Sequence, residues 1–186
     1  MARTASKMLP LGTKAPDFGL KDTVSEKILG LKVLKGSKGT LIMFICNHCP
    51  FVIHVNPMLS ALAKLYQAKG IAFVAISSND IENYPQDAPH LMKIKANEAG
   101  YTFPYLYDAT QTVAKAYHAA CTPDFYLFDG QLELVYRGQL DDSRPGNGIP
   151  LDGMDLRQAM DALLQGSPID PVQKPSIGCN IKWKAN

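Results

Sequence analysis

Two cysteines three positions apart, Cys46 and Cys49, are the residues whose types and spacing most clearly predict chemistry. In thiol–disulfide exchange a first thiolate attacks a disulfide and forms a mixed disulfide, which a second thiol resolves. Residues three apart in the first turn of a helix face each other, and the positive end of a helix favours a thiolate. The pair therefore predicts a redox site, with Cys46 as the exposed nucleophile of low pKa and Cys49 as the resolving thiol.

His48 lies between the two cysteines. A protonated imidazole here would stabilise the Cys46 thiolate and make the couple more oxidising, whereas the plainer interpretation is a solvated loop residue. The cysteine pair itself could instead be two small buried apolar residues, or part of a zinc site. A closed zinc site usually needs a second ligand pair of similar spacing, and the other two cysteines, Cys121 and Cys179, lie far apart in the chain.

These two other cysteines leave several interpretations open. Cys121 precedes Thr122 and Pro123, and it could be a core residue, a third redox thiol or a ligand. Cys179 lies in the tail near Trp183, the only tryptophan of the chain, and is interpreted as a packed or spare residue. The tryptophan suggests that this tail docks on the body of the protein.

A polar loop over residues 138–148 carries Asp141, Asp142 and Arg144. Two adjacent carboxylates could bind a cation or act as acid and base. Neighbouring side chains in a loop rarely converge, however, and aspartate, glycine and asparagine are ordinary turn residues. We therefore expect this loop to have a structural role.

Composition excludes several classes of protein. The chain has 186 residues, 46% of them apolar, and a net charge of +2, which is typical of one globular domain. The chain has no run of five basic residues of the kind that binds nucleic acid, and none of its apolar runs is long enough to cross a membrane. The first ten residues contain no apolar segment of a secretory signal, so we expect a cytoplasmic protein whose cysteines are thiols unless they are catalytic.

The cysteine pair lies between two predicted elements that would position it. An apolar run over 40–45 predicts a strand before the pair, and apolar residues at helical spacing predict a helix over 51–69 after it. A hairpin is expected between strands 28–34 and 40–45, and the Asp129-Gly130 dipeptide predicts a type I′ turn between strands 125–128 and 132–136. The other predicted elements are strands over 71–77 and 103–107 and helices over 89–99, 110–119 and 152–165.

Together these motifs resemble a known family. A strand, the Cys46–Cys49 pair, a helix and then Thr122-Pro123 before a hairpin resemble the thioredoxin fold. The entry segment 12–18 resembles the redoxin branch, which includes alkyl hydroperoxide reductase/thiol-specific antioxidant (AhpC/TSA) proteins. More narrowly, nearly the whole chain resembles the peroxiredoxin-like subgroup of bacterial thioredoxin-family proteins, through segments 46–52, 121–125, 136–138 and 176–179.

The resemblance implies an α/β thioredoxin fold in a single domain over 1–186. It implies a central mixed β-sheet flanked by helices on both faces, an N-terminal β-hairpin extension, and an irregular C-terminal tail over 167–186 that packs on the domain. It also implies that Cys46 is the nucleophile, that Cys49 is its partner, and that Pro123 follows a cis bond and faces the pair.

The chain departs from both branches of this fold at defined positions. Peroxiredoxins carry Pro-x-x-x-Thr-x-x-Cys; if Cys49 takes the place of the last cysteine, Cys46 and Ile42 occupy the threonine and proline positions. The peroxidatic arginine has no clear counterpart. Ile45 stands where thioredoxins usually have tryptophan, and Thr40 falls near the position of their buried acid.

Three functions follow as hypotheses. The first is a thiol–disulfide oxidoreductase without a cofactor, in which Cys46 attacks, Cys49 resolves and His48 lowers the pKa of Cys46. Its expected partners are a disulfide-bearing protein or a small-molecule oxidant, and a thiol reductant such as a thioredoxin or glutathione system. The second is a peroxiredoxin-like thiol peroxidase with Cys49 as the attacking thiolate. The third is a non-enzymatic binder of a metal or cluster through Cys46, Cys49 and Cys121.

Overall fold

The computed structural model describes residues 3–185. A 3₁₀ turn over Pro85–Asp87 precedes the third helix. In chain order the strands and helices are β1 (Arg3–Ala5), β2 (Gly19–Asp22), β3 (Ile28–Gly30), α1 (Leu31–Leu34), β4 (Gly39–Phe44), α2 (Pro50–Gln67), β5 (Ile71–Ser77), α3 (Pro89–Glu98), β6 (Tyr105–Tyr107), α4 (Thr112–Ala116), β7 (Cys121–Thr122), β8 (Asp124–Asp129), β9 (Leu134–Gly138), α5 (Met154–Gln165) and β10 (Ile177–Asn180).

Within residues 3–185, seven strands form a mixed sheet in the order β3-β2-β6-β5-β4-β8-β9. Strand β4 lies inside the sheet, parallel to β5 on one side and antiparallel to β8 on the other. All six residues of β4 are buried, because both faces of a central strand are covered and its sequence is apolar. The predicted α/β architecture with a central mixed sheet is therefore confirmed.

Alternate side chains of β4 divide the core between the two faces of the sheet. Leu41 and Met43 pack in a cluster that includes apolar residues of α2, α3 and α5. Ile42 and Phe44 point to the opposite face and pack with residues of α1 and α4. This two-sided core fixes the end of β4, from which the chain passes directly to the start of α2, so the segment between them is held at the edge of the sheet.

The N-terminal hairpin exists, but it is formed by different strands from those expected. Strand β2 pairs antiparallel with β3, and Gly19 lies opposite Gly30. The predicted strand over 28–34 is wrong beyond Gly30, because the next four residues form α1 and the Lys35 amide donates to the Leu31 carbonyl. Leu31 is 2% exposed, so burial of its side chain in the core outweighs the local β pattern.

The turn between β8 and β9 is longer than the two-residue type I′ turn that Asp129-Gly130 predicts. The Asp129 amide donates to the Glu133 carbonyl at 2.9 Å, and Leu132 adopts a positive φ of 61°. A carboxylate oxygen of Asp129 accepts from the amides of Gln131 and Glu133, both at 2.9 Å. This side-chain bonding and the packing of Leu132 on the core stabilise the longer loop, so the second strand begins two residues later than predicted.

The C-terminal tail, which was expected to be irregular, contains β10. This strand pairs antiparallel with β1 on one side and with β7 on the other, in a small three-stranded sheet. The tail therefore reaches the segment that precedes Pro123. In the part of the chain that the structure describes, no helix has the length and apolar character needed to span a bilayer.

Candidate redox site

The cysteine pair lies in the short connection between β4 and α2. Cys49 is the N-cap residue of α2, and Pro50 follows at the first helical position, where its missing amide hydrogen costs no helical hydrogen bond. Cys46 is 2% exposed and Cys49 is fully buried. The expectation that Cys46 is an exposed thiol is therefore wrong, because the pair belongs to the larger of the two core clusters.

Thr122 brings the two sulfur atoms and the opposite chain segment together. Its hydroxyl lies 3.4 Å from the Cys46 Sγ, and its carbonyl oxygen accepts from the Cys49 Sγ at 3.1 Å. The bond between Thr122 and Pro123 is cis, as the resemblance implied. The two hydrogen bonds from this segment to the sulfurs are made by Thr122, whereas the resemblance pointed to Pro123 as the residue that faces the pair.

A third cysteine reaches the site from the tail. The Cys179 Sγ lies 2.8 Å from the Cys49 Sγ. Cys179 pairs with Thr122 in the β10–β7 ladder and is 3% exposed. Sequence reasoning did not place it here, because 130 positions separate it from Cys49 and a strand of four residues in a proline-rich tail gives little local signal.

The pKa shifts of the two cysteines are the reverse of those that the sequence predicts. The pKa of the Cys49 thiol is lowered to about 5, first by a hydrogen bond from Cys46, and further by the Cys179 thiol and by the backbone amides of Val52 and Cys179, against the opposing effect of burial. The pKa of Cys46 is raised by its hydrogen bond to Cys49, by burial and by the negative charge of the Asp87 carboxylate. The sulfur that loses its proton first is therefore that of Cys49, at the N-terminus of α2.

Asp87, a fully buried carboxylate in the 3₁₀ turn, holds the loop between the cysteines. One of its oxygens accepts from the Asn47 amide at 2.8 Å, and the other accepts from the Asn79 side chain at 2.7 Å. His48 Nδ1 lies 2.7 Å from this second oxygen, and its ring stacks on that of Tyr84 with centroids 5.9 Å apart.

These contacts settle where the His48 side chain lies. Its side chain is only 16% exposed, so the interpretation as a solvated loop residue is wrong. A ring nitrogen of His48, the Cys46 Sγ and a carboxylate oxygen of Asp87 lie within 4.8 Å of one another. The imidazole is therefore close enough to influence Cys46, and its expected effect on the pKa of that thiol stays a prediction.

A buried acid that sequence reasoning missed follows Pro123. Asp124 is fully buried at the start of β8, and the Tyr126 hydroxyl donates to its carboxylate at 2.8 Å. Burial raises the pKa of Asp124 to about 7, because an ionised carboxylate loses its hydration in the interior. The sequence places this residue one position after the proline and gives no sign of its burial.

Asp124 makes stability depend on pH in a direction that can be measured. Since its folded pKa of about 7 exceeds its ordinary value of 3.8, the folded state holds a proton that the unfolded state releases between these values. The contribution of Asp124 to the free energy of unfolding should therefore fall as pH rises from about 4 to about 7, while the lowered pKa of Cys49 adds a contribution of opposite sign above about pH 5. We expect Asp124→Asn to remove the Asp124 contribution, gaining on the order of 3 kcal/mol relative to the parent over that interval.

The measurement is urea unfolding of both proteins at a series of pH values between 4 and 8. Glu98→Gln, which changes an exposed carboxylate on α3, is the control and should leave the slope unchanged. Parallel curves for the parent and Asp124→Asn would show that this carboxyl group is ionised in the folded state.

The proposed ligand set of Cys46, Cys49 and Cys121 does not assemble. The Cys121 Sγ contacts the carbonyl oxygens of Pro123 and Ser176, at 3.6 and 3.9 Å. Burial raises the pKa of Cys121 well above its usual range, so it has the character of a core thiol. The structure therefore does not support a metal or cluster held by these three cysteines.

The polar loop over 138–148 serves to anchor α5. One Asp141 oxygen accepts from the amides of Asp152 and Gly153, at 2.9 and 2.6 Å, while Asp142 forms an ion pair with Lys174 at 2.6 Å. The two carboxylates therefore bind different partners. Arg144 donates to the carbonyl of Asp141 at 2.6 Å and closes the loop.

Comparison with known proteins places this geometry in a wider group. Residues 11–137 match the AhpC/TSA family. A crystal structure of an uncharacterized conserved protein from Geobacillus kaustophilus is 59% identical, with a TM-score of 0.98 over 100% of this chain and 98% of that one. A hypothetical protein from Sinorhizobium meliloti is 48% identical, with a TM-score of 0.96 over 98% of this chain and 100% of that one.

More distant structures share the fold. The thioredoxin domain of a thiol-disulfide oxidoreductase from Bacteroides vulgatus is 20% identical, with a TM-score of 0.60 over 72% of this chain and 91% of that chain. The comparison with curated proteins gives no match. The sheet order, the helices on both of its faces and these similarities confirm the thioredoxin fold that the sequence motifs implied.

Proposed function

The chain belongs to the AhpC/TSA family of thioredoxin-fold redox proteins, and from this premise we propose that it is a thiol–disulfide oxidoreductase with Cys46 and Cys49 as its redox couple. The observation that carries the proposal is the sulfur pair itself. Both sulfurs contact Thr122, and the pKa of Cys49 is lowered to about 5 by its hydrogen bond from Cys46. At neutral pH the pair holds one proton and one negative charge, which is the state needed for nucleophilic attack on a disulfide.

Cys46 is the sulfur that we assign to the client, because Cys49 has no exposed surface and Cys46 has a little. Transfer of the Cys46 proton to the Cys49 thiolate leaves a thiolate on Cys46. This thiolate attacks the client disulfide, so that one Cys46–client bond forms and one client sulfur leaves as a thiolate. Cys49 then gives its proton to the first client thiolate and attacks the Cys46 sulfur, which releases the second client sulfur as a thiolate and leaves a Cys46–Cys49 disulfide.

Burial of the pair also indicates which clients react readily. Cys46 is only 2% exposed, and the two residues that follow it, Asn47 and His48, are held to the 3₁₀ turn by hydrogen bonds and an ion-pair contact. A small disulfide needs less displacement of this loop than a folded protein does, so we assign the faster reaction to small disulfides. The reductant that we propose for the oxidised pair is a cytoplasmic thiol system of the thioredoxin or glutathione type.

The test is exchange between the reduced protein and a small aromatic disulfide, followed by the absorbance of the released thiolate. We expect Cys46→Ser to reduce the rate to background, since the sulfur that accepts the client is missing. Cys121→Ser is the matched control, because it removes a buried thiol that contacts carbonyl oxygens and neither cysteine of the pair. Unchanged exchange in Cys46→Ser would contradict the assignment of the attacking thiol.

A thiol peroxidase is the second candidate, and the lowered pKa of Cys49 is the observation that favours it. A thiolate at the start of a helix is the group that would attack peroxide. The Thr122 carbonyl that contacts the Cys49 Sγ is an acceptor and cannot polarise an O–O bond by donating to it. Stopped-flow reaction of the parent protein with hydrogen peroxide decides the point, since a rate no faster than that of free cysteine removes this candidate.

A further inference from the structure

Cys179 lies closer to Cys49 than apolar packing requires. The two Sγ atoms are 2.8 Å apart, whereas packed carbon atoms in protein interiors lie about 3.5–4.0 Å apart. A disulfide bond is about 2.05 Å long, so less than about 1 Å of sulfur movement separates this contact from a bond. Cys49 therefore has two redox-capable sulfurs beside it, that of Cys46 in the β4–α2 connection and that of Cys179 in the tail strand.

We propose that Cys179 is a third redox residue, which takes over the disulfide from Cys46. The proposal rests on the proposed function, since it starts from the oxidised Cys46–Cys49 pair. Cys179 attacks the Cys49 sulfur, so that a Cys49–Cys179 bond forms and the Cys46–Cys49 bond breaks. Cys46 leaves as a thiolate and takes the proton that Cys179 has lost. The exchange is redox-neutral, and the number of disulfides does not change.

The backbone holds the attacking residue in place for this exchange. Cys179 is paired across the β10–β7 ladder with Thr122, the residue whose hydroxyl and carbonyl contact Cys46 and Cys49. On its other side β10 is paired with β1. The tail strand is therefore fixed between two neighbours, and the position of the Cys179 sulfur does not depend on a flexible segment.

The charges around Cys179 change in the right direction when the pair is oxidised. In the reduced protein the pKa of Cys179 is raised to about 12 by burial and then by its hydrogen bond to Cys49 and by the Cys49 charge. A Cys46–Cys49 disulfide carries no such charge, so these last two effects disappear and only burial opposes the thiolate. The leaving Cys46 sulfur retains the Thr122 hydroxyl at 3.4 Å to stabilise its charge.

The consequence is a protein that passes the disulfide from the β4–α2 connection to the tail strand. Cys49 is fully buried, and Cys179 at 3% is about as little exposed as Cys46 at 2%, so what distinguishes the two disulfides is the position of the second sulfur in the chain. Cys46 returns to the thiol form and can react with a second client disulfide. The chain would then carry oxidising equivalents in the Cys49–Cys179 bond while the Cys46 thiol stays available.

Peptide mapping tests this exchange directly. The parent protein is oxidised with diamide, the oxidant is removed, and samples are alkylated at intervals and digested with trypsin. Cys46 and Cys49 lie in one peptide, 39–64, whereas Cys179 lies in 158–182, since trypsin does not cut the Lys174–Pro175 bond. We expect the linked pair 39–64/158–182, with Cys46 alkylated, to increase after oxidant removal while the disulfide within 39–64 decreases.

Variants at two buried cysteines separate this exchange from general oxidation. Cys179→Ala should lose the linked pair and keep the disulfide within 39–64, and Cys121→Ala, whose cysteine lies in peptide 116–137, should behave as the parent. If the parent reduces a client disulfide and forms only the disulfide within 39–64, the third redox residue is refuted and the proposed function stands. If the parent fails to reduce a client, the proposed function fails, whatever links form. The parent measurements decide both points even if a variant does not fold.

Discussion

Replacement of Cys49 by serine is expected to abolish every disulfide of the redox site. Both proposed disulfides share the Cys49 sulfur, because it is hydrogen-bonded to Cys46 in the reduced pair and its Sγ lies 2.8 Å from that of Cys179. Its substitution also removes the thiolate whose pKa is lowered to about 5. Oxidation with diamide should then leave both remaining site cysteines as thiols, and client exchange should fall to background.

This loss should not come from unfolding. Cys49 is the N-cap residue of α2, and serine is among the residues preferred at that position, so the helix is expected to keep its start. Circular dichroism and thermal unfolding of Cys49→Ser should therefore resemble those of the parent. Cys46→Ser is the informative comparison, since it should lose client exchange but still permit the bond between Cys49 and Cys179. A Cys49→Ser protein that still forms an intramolecular disulfide would show that another sulfur carries the chemistry.

The sequence predicts the scaffold of the site well, for a physical reason. The apolar run over 40–45 and the helical pattern after the cysteines depend on contacts within short segments, and burial in the sheet reinforces both. The observed bounds of β4 and α2 differ from the predictions by one or two residues. The spacing of the cysteine pair is likewise a local property, and it identifies the redox loop before any tertiary contact is known.

The groups that set the chemistry of this loop come from distant parts of the chain. Asp87 acts from the 3₁₀ turn 40 positions away, and Cys179 arrives from the tail 130 positions away. The expected low pKa of Cys46 was assigned from its position as the first cysteine. The structure instead places Cys49 at the helix N-cap with two thiol donors and two backbone amides around it, and places the Asp87 carboxylate near Cys46.

The second large effect is expected at Gly178, the residue before Cys179. A Cβ atom at this position would lie 2.0 Å from the Thr122 carbonyl oxygen and 2.6 Å from its carbonyl carbon. Since both are backbone atoms, the tail strand would have to move away from β7. We expect Gly178→Ala to lower the free energy of unfolding by roughly 3 kcal/mol or more, the upper part of the range for overpacked interiors. Urea unfolding measures this change.

Gly19→Ala is the matched control, because a Cβ atom there would meet only the Ile28 side chain at 3.9 Å, an ordinary contact. It should change stability far less than Gly178→Ala does. An equal effect of the two substitutions would mean that the tail tolerates displacement from Thr122.

Gly178→Ala also tests whether the Cys49–Cys179 disulfide depends on the position of the tail strand while the Cys46–Cys49 disulfide does not. The clash lies at the backbone of Thr122, so it should increase the distance between the Cys179 and Cys49 sulfurs while leaving Cys46 beside Cys49. Under conditions in which the variant is still folded, we therefore expect slower formation of the 39–64/158–182 link and retained disulfide formation within 39–64. If both disulfides form at the parent rates in this variant, the proximity of Cys179 to Cys49 does not depend on close pairing of β10 with β7, and the structural basis that we give for the third redox residue is wrong.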